Sequence, residues 1–122
     1  MKDDIRVILA DNNVQDRESK KRLLNEQGIQ VVYETGDGKK ALENIKKLKP
    51  DVVVMDMILP GVDGLEILEE CREFTEYKPL FIIATALRRE GLIEQALAQG
   101  ANYYMMKPLS ATMLIKDRSQ PV

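Results

Sequence analysis

Short apolar runs alternate along this chain with longer stretches of mixed character, and the alternation predicts five strands, each followed by a helix. Ile5 to Ala10, Ile29 to Glu34, Val52 to Met55, Leu80 to Ala84 and Asn102 to Met106 are compact and mostly apolar, and turn residues bound them. The third run, behind Pro50, has no polar position at all, as expected of a strand buried on both faces of a parallel sheet. Between the runs lie helix-like segments at Val14 to Gln27, Lys39 to Leu48, Leu65 to Phe74 and Arg89 to Gln99, with a short last one from Ser110 to about Asp117. Five strand-then-helix repeats with short connections imply an α/β domain whose parallel sheet is covered on both sides.

The helices are unequal. Ala41, Leu42, Ile45 and Leu48 give the second a clear apolar stripe, and Leu65, Leu68 and Cys71 give the third one, with Ile67 and Phe74 beside it. The first offers only Val14, Leu23 and Leu24, so the aliphatic stems of Arg17, Lys20 or Lys21 are expected to share its contact surface. It should be the least firmly held. The Lys20-Lys21-Arg22 and Lys39-Lys40 clusters otherwise read as solvated faces.

Composition narrows the chemistry. The 122 residues suit one domain spanning 1–122, and 18 basic against 20 acidic side chains give no electrostatic reason to bind nucleic acid or an anionic membrane. The absence of histidine excludes Ser-His-Asp and Cys-His nucleophiles and histidine-ligated zinc. A single cysteine, Cys71, has no partner for an internal disulfide, and no apolar run approaches a membrane span; a cytoplasmic protein is expected. The last helix is short enough that the chain is either a piece of a longer protein, with an effector following, or ends in a poorly packed helix.

Candidate chemistry stands at the strand ends. Asp11 closes the first strand, Asp56 the third, Thr85 the fourth and Lys107 the fifth. In a doubly wound sheet of order 2-1-3-4-5, the first and third strands are neighbours about 4.8 Å apart at the reversal point, where such sheets bind ligands. Asp11 and Asp56 would then face each other. Paired carboxylates there call for a cation, and oxygen donors select a hard one, Mg²⁺ first. With the Thr85 hydroxyl and the Lys107 ammonium, they describe a site for a phosphoryl group beside a metal.

Asp11, the segment DMILPGVDG around Asp56, Thr85-Ala86, and GANYYMMKP ending in Lys107-Pro108 together resemble the receiver domain of two-component response regulators, over nearly the whole chain. GANYYMMKP also has some flavour of the receivers of sporulation regulators. The resemblance implies a flavodoxin-like fold and a phosphorylation switch rather than an enzyme acting on other molecules. Asp56 would take a phosphoryl group from a histidine kinase or histidine phosphotransfer protein, with Lys107 and Thr85 holding its oxygens. Mg²⁺ would be held by Asp11, Asp56 and the Ile58 backbone carbonyl. Thr85 and Tyr104 would carry the switch to the face of helix four, strand five and helix five, where relatives commonly dimerise. The Lys107-Pro108 bond would be cis.

One departure from the family pattern and one further inference matter. Receivers usually carry two consecutive acids after the first strand, and here the second is Asn12, which implies weak or indirect metal binding. Ile58 and Leu87, both bulky and apolar, would flank the path of hydrolytic water and make an acyl phosphate long-lived. Standing alone, Asp11 and Asn12 would more often merely cap the first helix. The competing reading is a pseudo-receiver, a constitutive protein-interaction module with impaired metal binding. A haloacid-dehalogenase-like hydrolase would need a second Asp where Ile58 stands, and flavodoxin-like or Rossmann cofactor sites lack their phosphate loops.

Overall fold

The computed structural model describes residues 5–86 and 90–107; Leu87, Pro108 and the last helix lie outside them. In order come β1 (Arg6–Ala10), α1 (Val14–Glu26), β2 (Gln30–Thr35), α2 (Gly38–Leu48), β3 (Val52–Met55), α3 (Gly64–Arg72), β4 (Leu80–Thr85), α4 (Glu90–Ala98) and β5 (Tyr103–Met106). The strands form one parallel sheet of order β2-β1-β3-β4-β5, with a register irregularity between Val7 and Ile8 of β1.

Alternation along the strands sorts the core into two layers. Ile8, Ala10, Val53, Met55 and Ile83 face one way and pack with Ala41 and Ile45 of α2, Ile67, Leu68 and Cys71 of α3, and Ala96 of α4. Val7, Leu9, Val52, Val54 and Ile82 face the other way, where the only buried residues of α1 are Leu24 and Lys20. Cys71 belongs to the first layer, and burial pushes its thiol up to about 12, so it is an inert hydrophobe.

Helix ends follow local chemistry. Asn13 and Asp37 cap α1 and α2 by accepting from the backbone N–H groups of Asp16 and Lys40, and Asp63 with Glu66 makes a capping box on α3. α3 stops at Arg72, so Phe74 lies beyond it, with its ring stacked on Tyr77 at 5.8 Å. The start of α2 also fixes the loop after β3. Gly38 donates to the Pro60 carbonyl, and a Cβ on Gly38 would fall 1.6 Å from the carbonyl oxygen of Val62.

Candidate functional site

The residues at the strand ends are placed by the sheet itself. Each makes the hydrogen bond that follows the last ladder pair: Asp11 N–H donates to Thr35 O, Asp56 N–H to Ala10 O, and Lys107 N–H to Thr85 O, all at 2.9 Å. Parallel register puts Ala10 opposite Met55 and Thr85 opposite Met106, so the next residues come level at one edge. Their side chains then converge. Lys107 Nζ lies 2.9 Å from Asp56 Oδ2, 2.9 Å from Asp11 Oδ2 and 3.4 Å from Asp16 Oδ2.

Asn12, Asn13, Asp56, Ile58, Thr85 and Ala86 line an open hollow at this edge. Asp11 lies beneath it, 2% exposed, and Thr85 is buried as well. Asp56 Oδ1 accepts from the Ile58 N–H at 3.2 Å, which turns the loop after β3 over the carboxylate. Ile58 itself is exposed, and so is Asn12. Asp11 and Asn12 do not cap α1; Asn13 does, and Asp11 instead accepts from the Asn13 N–H at 2.8 Å.

Tyr103 and Tyr104 point to opposite sides of β5. Tyr104 packs with the layer of α2, α3 and α4, and Tyr103 with the other. The Tyr104 hydroxyl is buried with no hydrogen-bond partner among the described residues; burial, helped by the nearby Asp56 charge, holds it above the ordinary tyrosine value.

One residue of the site was not anticipated from sequence. Lys20 is buried, and its Nζ donates to Asp11 Oδ2 at 2.7 Å. The solvated-face reading of Lys20 is therefore corrected, although the expectation that its stem shares the helix contact surface holds. A signal existed: Lys20 is four residues before Leu24, on the same stripe of α1 as the helix's one buried apolar side chain. The head group then reaches the nearest buried carboxylate, because an unpaired ammonium there would be costly.

The electrostatics are those of a closed ion-pair cluster. Burial raises the Asp11 carboxyl, but the donors from Lys20, Lys107 and Asn13 outweigh it and leave the group below its ordinary range. For Lys107 burial acts downward, and the contacts to Asp56 and Asp11 outweigh it and hold the ammonium above its usual value. The pocket therefore stays charged on both sides at neutral pH.

Similarity to known proteins agrees with this arrangement. Residues 7–117 match the response regulator receiver domain. The transcriptional regulatory protein PdtaR of Mycobacterium tuberculosis is 34% identical over 110 residues, covering 90% of this chain and 53% of PdtaR. TrcR of the same organism is 38% identical over 116 residues, covering 91% of this chain and 42% of TrcR. The chain thus spans about half the length of these relatives. Among solved structures, the signal receiver domain of NarL from Mycobacterium tuberculosis superposes with a TM-score of 0.90 at 31% identity, covering 97% of this chain and 95% of that one. With the sheet order, the acid pair and the lysine in their places, the chain belongs to the response regulator receiver domain family.

Proposed function

We propose that this domain is a phospho-acceptor switch in which Asp56 takes a phosphoryl group from a histidine kinase or a histidine phosphotransfer protein. The observation that carries the reading is Lys107 Nζ held 2.9 Å from both Asp56 and Asp11 at the edge of the hollow. Receiver domains are generally signalling modules rather than enzymes with their own substrates. The chain is read as one such domain, with any output residing in a following effector or a separate target.

In the transfer, an oxygen of Asp56 forms a bond to phosphorus as the bond from phosphorus to the donor's imidazole nitrogen breaks. The electron pair leaves with that nitrogen, and the ring departs as neutral imidazole because its other nitrogen already carries a proton or the released nitrogen takes one from water. Lys107 stabilises the charge that gathers on the phosphoryl oxygens, and the Thr85 hydroxyl donates to one of them. The Ile58 N–H already points at the Asp56 carboxylate and stays available as the acyl phosphate forms.

Receiver domains generally bind Mg²⁺ beside the acceptor; here Asp11, Asp56 and the Ile58 carbonyl would have to hold it, and it would supply neutralisation of the carboxylate and phosphoryl charge. The donors present do not fit such an ion as they stand. An ionised carboxylate has about four acceptor positions, and Asp11 takes contacts from Asn13 N–H and Lys107 on Oδ1 and from Lys20 and Lys107 on Oδ2. Asn12 adds no charge, and among the described residues no three His, Cys, Asp or Glu side chains converge as a metal cluster. No step above is therefore routed through the metal.

The switch is read from Thr85 and Tyr104. Thr85 moving toward the phosphoryl group frees space into which Tyr104 would rotate, and the Tyr104 hydroxyl has no hydrogen bond among the described residues to hold it back. The surface of α4 and β5 would change with it, and a second copy or a target would read that face. Incubation with acetyl phosphate, followed by mass spectrometry of intact protein, should give one phosphoryl adduct that Asp56→Asn abolishes. A folded wild-type protein that takes no adduct from acetyl phosphate or a histidine kinase would favour the pseudo-receiver, to which the saturated Asp11 already lends support.

A further inference from the structure

Lys20 changes the charge balance of the pocket. Asp11 and Asp56 contribute two negative charges, and Lys107 and Lys20 contribute two positive ones. Asp16 adds a third carboxylate at the rim, 3.4 Å from Lys107, but its side chain is 46% exposed and is screened by water. The inner site is neutral without any bound ion. Its lysine on α1 is also fixed: the side chain is 9% exposed, against 44% for the neighbouring Lys21.

We propose that Lys20 is a resident counter-ion which competes with divalent cations for Asp11, so that the charge neutralisation otherwise supplied by a metal is built into α1. The competition is for lone pairs as well as for charge. A cation that takes Asp11 Oδ2 must displace the Lys20 contact at 2.7 Å or the Lys107 contact at 2.9 Å. Losing the Lys20 contact would leave a buried ammonium without its carboxylate. Losing Lys107 would take from Asp56 its ammonium donor at 2.9 Å. Either route makes metal entry unfavourable in a way that Asn12 alone does not.

The consequence for phosphorylation rests on Asp56 being the acceptor. With its acid pair neutralised by two lysines, the site should accept an anionic donor with only a shallow dependence on Mg²⁺. Lys20 acts there as a positioning residue, through Asp11, and does not touch the phosphoryl group.

The test begins with the metal alone. Mg²⁺ titrated into the wild-type protein and into Lys20→Met, followed by backbone amide shifts at residues 11–13 and 56–58, should show binding at least about tenfold tighter in the variant. Equal affinities in the two proteins would overturn the proposal. Met keeps the length and apolar stem of Lys, and Asp11 keeps its Lys107 and Asn13 donors. Should the variant still fail to fold, the wild-type protein decides by itself: the Lys20 ammonium resonance should be slow to exchange and should shift only as Mg²⁺ saturates. An ammonium signal indifferent to saturating Mg²⁺ would sink the idea. Acetyl phosphate with and without chelator then separates the two readings. Adduct formation nearly independent of Mg²⁺ in the wild type and strongly dependent in Lys20→Met supports the proposal, whereas equal Mg²⁺ dependence in both counts against it. No adduct in either protein would remove Asp56 as acceptor and leave the titration to decide on Lys20.

Discussion

The two sides of the sheet are held by different physics. On the side of α2, α3 and α4, three helices contribute fully buried aliphatic residues to a continuous apolar layer with Val53, Met55 and Ile83. On the side of α1, among the described residues, that helix alone reaches the sheet, with Leu24 and with charged side chains: Lys20 to Asp11, and Arg17 and Lys21 to Glu34 of β2. The first side is directionless and indifferent to salt. The second is directional, and it runs into the functional edge. The difference teaches that a helix short of apolar residues can dock by ion pairs, and that one of those pairs then becomes part of the chemistry.

The largest effect should come from breaking the apolar side. Ile67 is fully buried between α3 and the sheet, so Ile67→Ala should cost roughly 3 to 4 kcal/mol in denaturant unfolding. That loss should be the same at low and high salt, and the folded fraction should take up a phosphoryl group as the wild type does. A strongly salt-dependent loss would mean that the two sides are not separable.

On the α1 side the expected result is asymmetric. Asp11→Ala leaves Lys20 buried with no carboxylate beside it and should cost about 3 kcal/mol. Lys20→Met removes the other half of the same pair, yet Asp11 keeps Lys107 and the Asn13 N–H, so its cost should be within about 1 kcal/mol of zero. Urea melts of the two variants are enough to compare them. Equal losses would show that the pair contributes as a simple bond rather than through the penalty of an unpaired buried charge.

Much of this was legible in the sequence, and the reason lies in how periodic signals survive folding. The β3 run Val52 to Met55 has the same bounds in the structure because a strand buried on both faces leaves no ambiguity about its period. The sheet order and the meeting of Asp11, Asp56 and Lys107 followed from strand ends, which are set by backbone register rather than by side-chain detail. Helix ends were less legible: α2 begins one residue early, at Gly38, because Asp37 is its cap, and α3 ends two residues before Phe74. Lys20 was missed for a different reason. A lysine in a basic run reads as solvent-facing, and only the depth of Asp11, a tertiary fact, makes burial of its ammonium favourable.

The smallest effect sharpens the comparison most, because it separates exposed from buried charge on the same helix. Glu34 meets Lys21 and Arg17 at a partly exposed site, so after screening Glu34→Gln should cost only about 0.5 kcal/mol, and less in molar salt. Acid distinguishes it further. The Lys21 contact, opposed by burial and joined by Arg17, holds Glu34 below its ordinary 4.5, and Asp11 sits below its ordinary 3.8. A carboxylate whose folded value is depressed stabilises the protein above its unfolded value, and that contribution is lost as pH falls through the folded one. As pH falls below the ordinary carboxylate range, amide exchange in α1 should therefore accelerate before exchange in α2 and α3, whose anchoring layer is apolar. In Glu34→Gln the part of that acceleration due to Glu34 should disappear, while the part due to Asp11 remains. Exchange rising together in all three helices would mean that the ion pairs of α1 do not hold it separately from the rest of the core.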